Sequence, residues 1–265
     1  MSLKATPPKD MTPEHLTPEE MGSRLLYRDG LMLIINKPAG LAVHKGPKGG
    51  ASLEDYFDAL RFGLPRMPAL AHRLDKETSG CLVLGRHRKA LADLNDLFRH
   101  GKVGKTYWAV VEGGPAEPEG RIDLPLGRLD DKIGWWMKHD PDGLPSQSTW
   151  KVMGRTQGVT WLALEPLTGR THQLRVHCAE SGFPVLGDNI YGTAPRHGGP
   201  RLHLHAREIM VPLYKNKPPV KVTAPVPEHM KERLKACGWN EDDDKALPPP
   251  LGLSSRPRTE ERSNG

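Results

Sequence analysis

From residue 25 onward, short apolar runs alternate with turn residues at strand spacing more often than at helix spacing. Leu25–Arg28 and the run 31–35 flank Asp29-Gly30, a dipeptide that accepts positive φ, and this predicts a β-hairpin. Runs at 81–84, 107–111, 148–153, 159–164, 202–209 and 220–224 predict further strands. Helical spacing is rarer. Ser52 with Asp55 three residues on, and Leu53, Tyr56, Phe57 and Leu60 on one face, predicts a helix start. Leu91, Leu94, Leu97 and Phe98 predict a second helix, ended near Gly101. Residues 171–180 predict a third, closed by Ser181-Gly182 with Pro184 beyond. Few helices and successive strands predict the α+β class, a mixed, mainly antiparallel sheet with flanking helices, rather than a doubly wound fold.

The pattern fades at both ends. Residues 1–20 mix proline, threonine and charge without periodicity and are expected to form a flexible lead. From 240 to 265 a proline triplet and mixed charge predict a disordered tail. The folded body is then 21–239, one domain without internal repeats. Apolar residues make up 37% of the 265, and with 28 glycines the total is that of an ordinary globular protein, which excludes disorder throughout. No apolar run approaches the roughly 18 residues that cross a bilayer, and the N-terminus lacks a signal-peptide core. Cys81, Cys178 and Cys237 are odd in number and widely spaced, which argues against a disulfide framework and for a reducing cytoplasm. Nothing signals an obligate oligomer, so a monomer is expected.

The net charge of +6 changes the picture once divided. The first twenty residues carry −2 and residues 231–265 balance, which leaves +8 on the body. A basic folded body points to a polyanionic partner, most simply nucleic acid.

Several candidate chemistries weaken on inspection. The stretch 101–106 ends in Gly-Lys-Thr, but a phosphate loop needs glycine at position 99, which is Arg99, and this segment runs into a strand. His203 and His205 share one strand face without an indicated third metal ligand, and His172 and His177 are five apart, off the helical i, i+4 spacing. Cys178 beside His177 does not face it on a helix, and a buried thiol is the commoner role.

Two denser segments remain. In 71–80, Asp75 sits beside Arg73 and Lys76 where an apolar run breaks into a turn. A nearby arginine keeps a carboxylate ionised and aimed, although Asp, Thr, Ser and Gly also fill ordinary turns. In 167–177, a Thr-Gly turn leads into a helix whose first turns hold Arg170, His172 and Arg175. Such an arrangement suits phosphate or a carboxylate, or is a solvated basic face.

These segments resemble the signature of the RluA family of pseudouridine synthases. His72-Arg73-Leu74-Asp75-Lys76-Glu77-Thr78-Ser79-Gly80 is similar to its HRLD–x–x–TSG motif, and residues 168–177 to its TGRTHQ(L/I)RVH motif. In order along the chain, Asn36-Lys37-Pro38-Ala39-Gly40-Leu41, Lys105-Thr106-Tyr107, the stretch 183–192 and the strand 201–206 resemble four further family segments. Together these matches cover roughly residues 24–225. Phe183 stands where the family commonly has histidine, and Ser148 where it often has threonine.

The resemblance implies the pseudouridine synthase catalytic fold and isomerisation of uridine to pseudouridine in structured RNA, transfer or ribosomal, without cofactor or metal. It implies catalytic Asp75, Arg175 paired with it, and Tyr107 stacked on the flipped uracil. Arg73 would help extrude the nucleotide, and Arg170 and His72 would contact substrate. The short lead is expected to leave no room for the additional N-terminal RNA-binding domain that some members carry. A non-catalytic RNA-binding or chaperone protein on the same fold is the competing reading.

Overall fold

Asp29 closes the first hairpin with its side chain, Oδ1 accepting from the Leu31 and Met32 N–H groups at 2.8 and 2.9 Å. The strands it joins open the sheet in a computed structural model that describes residues 16–46, 49–129 and 136–242. In chain order these hold α1 (Pro18–Ser23), β1 (Leu25–Arg28), β2 (Met32–Lys37), a single 3-10 turn at Leu53–Tyr56, β3 (Ala69–Leu70), β4 (Ser79–Gly85), α2 (Arg88–Arg99) and β5 (Gly104–Glu112). They continue with β6 (Glu119–Asp123), β7 (Leu126–Arg128), β8 (Met137–His139), β9 (Gln147–Thr156), β10 (Val159–Pro166), α3 (Gln173–Glu180), β11 (Leu204–Val211), β12 (Val220–Thr223) and α4 (Glu228–Ala236).

Among the described residues ten strands form one sheet, ordered β1-β2-β4-β11-β5-β10-β9-β6, with β3 on β4 and β12 on β11. Every pairing is antiparallel except β4 with β11, which run parallel at Ser79↔His205 and Gly80↔Ala206. This is the mainly antiparallel α+β arrangement that the strand pattern predicts.

Both faces of the sheet are covered, which is why its central strands are apolar at consecutive positions. On one face Leu33, Ile35, Leu82 and Leu84 build one core, and Ala109, Val111, Leu162 and Leu164 build a second with Leu174 and Cys178 of α3. Tyr107 packs against both. On the other face α2 covers Ile34, Val83 and Ile209, and α4 covers Trp108, Val110 and Trp161.

Some local expectations need correction. The helix begun at Ser52 is one 3-10 turn, and the third helix starts at Gln173, two residues late. The flexible lead ends earlier than residue 20, because Thr17 caps α1 and Leu16 is buried. Residues 1–15 of that lead and 243–265 of the expected tail lie outside the described residues. The sequence pattern missed β6, β7, β8 and α4, whose apolar positions are sparse: Ile122 is the buried residue of β6, and Met230 and Leu234 those of α4.

One glycine explains a motif. Gly80 has φ of +108°, and a Cβ there would collide with the Ala206 carbonyl, so only glycine lets β4 lie against β11. No described helix is long and apolar enough to cross a membrane.

Candidate active site

The parallel contact between β4 and β11 ends the turn that carries Asp75. The Asp75 carbonyl accepts from Thr78 N–H at 3.1 Å, and the Lys76 carbonyl accepts from Gly40 N–H at 2.8 Å and from the Lys37 ammonium at 3.0 Å. Lys37 is fully buried and also donates to the Pro38 and Leu41 carbonyls at 2.8 Å each. Three carbonyl acceptors match the three N–H groups of an ammonium, so one lysine ties the 38–41 loop to the Asp75 turn. Burial draws its pKa down to about 7, against the pull of Glu77 and Asp75.

The opposite wall comes from 168–175, a segment that holds itself in place. Thr168 Oγ1 donates to Gln173 Oε1 at 2.7 Å, and the Arg170 N–H donates to the same oxygen at 3.0 Å. Gln173 Nε2 donates to the Gln147 carbonyl and to Ser148 Oγ, both at 2.9 Å. Between them His172 has φ of +52°, a left-handed conformation uncommon outside glycine and enriched at functional sites.

Arg175 is almost fully buried, and its firm partner is Asp188: Nε and Nη2 donate to the two carboxylate oxygens at 2.7 Å each. Asp188 Oδ1 also accepts from the Ile190 and Tyr191 N–H groups at 2.9 and 3.0 Å. Burial alone would raise the Asp188 pKa, but Arg175 and these amides hold it below the usual carboxylate value. The remaining guanidinium nitrogen, Nη1, faces Asp75 Oδ2 at 3.8 Å. On the other side of Asp75, His172 Nε2 stands 3.8 Å from Oδ1.

The other ring nitrogen of His172 meets Tyr191. The Tyr191 hydroxyl accepts from Met137 N–H at 2.9 Å and lies 2.8 Å from His172 Nδ1. The pair is made either by the hydroxyl proton donated to Nδ1, with the imidazole proton on Nε2 facing Asp75, or by Nδ1–H donated to the hydroxyl oxygen. Burial, opposed by Asp75, lowers the His172 pKa and keeps the ring neutral at pH 7. Asp75 thus faces two nitrogens just beyond hydrogen-bond distance, with its side chain 21% exposed.

Asp75 and Arg175 line one cavity of about 370 Å³ together with Tyr107, His72, Arg73 and Arg170, so all six residues singled out in the sequence meet there. Tyr107 projects from β5, and burial, then the charge of Asp75, raises its pKa, so it is a neutral phenol. Arg73 is exposed at the cavity edge, and Arg170 Nε donates to the Pro145 carbonyl at 3.2 Å. His72 has a structural share. Its Nε2 accepts from Val83 N–H at 3.0 Å, its ring stacks on Phe98 at 4.3 Å, and burial pushes its pKa down to about 3.

Three residues of the site were passed over in the sequence. Asp188 and Tyr191 are three apart in a Gly-Asp-x-x-Tyr turn, whose only local signal is that turn. His172 stood out as a weak metal ligand and, with Arg170 and Arg175, as part of a helix start suited to an anion, and among the described residues no group of three or more His, Cys, Asp or Glu side chains is placed to hold a metal. His205 instead meets Ser79 Oγ through Nδ1 at 2.8 Å, and His203 Nδ1 donates to the Arg201 carbonyl at 2.8 Å. Cys178 is buried, and its thiol is pushed up to about 12, far from a thiolate nucleophile at pH 7.

Known proteins resemble this chain in sequence and fold. Residues 31–180 match the family model described as RNA pseudouridylate synthase. An uncharacterized RNA pseudouridine synthase of Zymomonas mobilis is 41% identical over 210 residues, which span 78% of this chain and 95% of that protein. The ribosomal large subunit pseudouridine synthase C of Vibrio vulnificus is 35% identical over 222 residues, 80% of this chain and 69% of that protein. Among solved structures, human RNA pseudouridylate synthase domain containing 4 superposes with a TM-score of 0.69 at 27% identity, covering 82% of this chain and 95% of that one. A body whose fold, motifs and relatives agree over most of its length belongs to the RluA-type RNA pseudouridine synthases, isomerases that convert uridine to pseudouridine in RNA.

Proposed function

We propose that Asp75 is the catalytic carboxylate and that the substrate is a structured RNA, ribosomal or transfer, with large-subunit ribosomal RNA the first to test. The observation that carries the first half is the setting of Asp75: a partly exposed carboxylate at the wall of a cavity, with Arg175 and His172 each 3.8 Å away and Tyr107 beside it. The printed name of the Vibrio relative supports the second half.

The isomerisation replaces the C1′–N1 bond of uridine by a C1′–C5 bond and moves one proton from C5 to N1. It is redox-neutral and hydrolyses nothing. Breaking the glycosidic bond develops positive charge on the sugar, which a nearby carboxylate stabilises. Attack on sugar or base, or removal of a ribose proton, likewise needs an ionised Asp75 with a free lone pair. Arg175, clamped by Asp188, places its positive charge 3.8 Å from the Asp75 carboxylate, and His172 stands at the same distance on the other side. Extracting a nucleotide from its stack costs a few kcal/mol, and Tyr107 offers the detached uracil a replacement stacking surface. Arg73 and Arg170 at the cavity wall supply cations for the RNA backbone, in line with the +6 net charge.

We read 21–239 as one catalytic body acting as a monomer in the cytoplasm, where three unpaired cysteines are at home. The test is nucleoside mass spectrometry with site mapping. Unmodified ribosomal and transfer RNA transcripts are incubated with wild type and with Asp75→Asn. Pseudouridine is expected with wild type alone, at a mapped position. Product formed equally by Asp75→Asn would remove Asp75 from the chemistry, and RNA binding without product from wild type would favour a binding protein.

A further inference from the structure

Two cations of the cavity lining have no part in the reaction above: Arg99, which pairs with Asp96, and Lys105. Lys105 precedes Tyr107 by two residues on β5, so both side chains leave the same face of the strand, and both line the cavity. It is half-buried. Among the described residues no carboxylate, carbonyl or hydroxyl lies within hydrogen-bond or ion-pair distance of its ammonium. The contrast with Lys37, which meets three carbonyls in the core, is direct. Burial draws the Lys105 pKa down to about 8 with no anion to hold it up, and the Lys105 charge in turn depresses His72.

A desolvated cation without a partner destabilises a fold. When it lies on the wall of a ligand cavity, the counter-charge is left to the ligand. RNA offers one anion per nucleotide, the phosphodiester. A charge-assisted hydrogen bond to it is roughly twice as strong as one to a neutral uracil carbonyl. The placement agrees. Arg175 and His172 flank Asp75, and Lys105 is near His72, whose ring stacks on Phe98. We propose that Lys105 binds the backbone phosphate flanking the flipped nucleotide and so sets the register of the RNA strand over Asp75.

This inference rests on the proposed reaction, and two readouts separate them. Product from wild type reports on the reaction; RNA affinity of the variants reports on Lys105 and needs no turnover. Binding of a large-subunit ribosomal RNA fragment by wild type, K105M and K105R is measured over a range of salt. K105M is expected to bind about tenfold more weakly, with a log–log salt slope shallower by about one. K105R should recover most of the affinity. On the mapped RNA the loss should fall on KM rather than kcat. A neutral methylphosphonate beside the target uridine should weaken wild type by the same factor and K105M no further. K105M should also melt no lower than wild type, since it removes an unpaired buried charge. Unchanged affinity and salt slope would overturn the proposal. So would a loss confined to kcat, which would place the ammonium in the chemical step or on uracil. A lowered melting temperature would make Lys105 structural and overturn it equally.

Discussion

The carboxylate of Asp188 grips Arg175 with two 2.7 Å hydrogen bonds, and the one guanidinium nitrogen left over faces Asp75 at 3.8 Å. Arg175 therefore does not choose its orientation by pairing with Asp75. It is aimed from behind, and neither Arg175 nor His172 comes within hydrogen-bond distance of Asp75.

Asp188→Asn tests that aiming. Removing one charge of a buried pair leaves the other uncompensated, with an expected loss of about 3 kcal/mol in urea unfolding. Folding lowers the Asp188 pKa, so its contribution is complete above the unfolded value of about 4 and is lost as pH falls toward the native one. Wild type should lose stability over that acid range by a step that the variant lacks. Turnover should fall at least about tenfold, read in single-turnover assays, if Arg175 supports Asp75.

Tyr107→Ala separates stacking from backbone binding. Turnover should fall by about a hundredfold, while RNA affinity, dominated by phosphate contacts, changes by less than about threefold. Parallel losses in binding and turnover would make Tyr107 a packing residue between the two cores it touches.

Gly80→Ala should be among the most damaging single changes. The residue would need positive φ and would press its Cβ into the Ala206 carbonyl at the parallel junction that anchors the Asp75 turn. We expect a loss of about 3 kcal/mol or more, seen as a lowered melting temperature or as insoluble protein.

Buried histidines set the acid limit of the fold. Burial holds His205 and His72 at about 3 and His203 at about 4, against about 6.5 when unfolded. Between those values the unfolded chain binds one more proton per histidine, so stability falls as pH falls below about 6.5. Each contributes up to about 1.4 kcal/mol per pH unit. His205→Gln should flatten the slope of unfolding free energy between pH 6 and 4 by about one such increment in urea titrations. An unchanged slope would mean that His205 titrates normally.

The chain by itself determined the elements and the two segments that carry the chemistry. The continuous apolar runs at 31–35 and 81–84, the Asp29-Gly30 turn and the dense stretches around Asp75 and Arg175 are short-range signals, because run length and turn residues show directly in sequence. The family motifs extended that reading to Tyr107, Arg73, Arg170 and His72. Sparse elements such as β6 and α4 escaped it, since one or two buried side chains make no period.

Tertiary structure alone decided which groups meet. Gly80 and Ala206 lie far apart in sequence and touch in the sheet. Asp188 follows Arg175 by thirteen residues, across a helix end and a turn. His172, in a left-handed conformation, comes within 3.8 Å of Asp75 while its other nitrogen meets Tyr191. Lys105 reads in sequence as part of the Lys105-Thr106-Tyr107 segment, with no role of its own. Its lack of a partner exists only once the walls around it are assembled, because desolvation and pairing depend on distance in space and not along the chain.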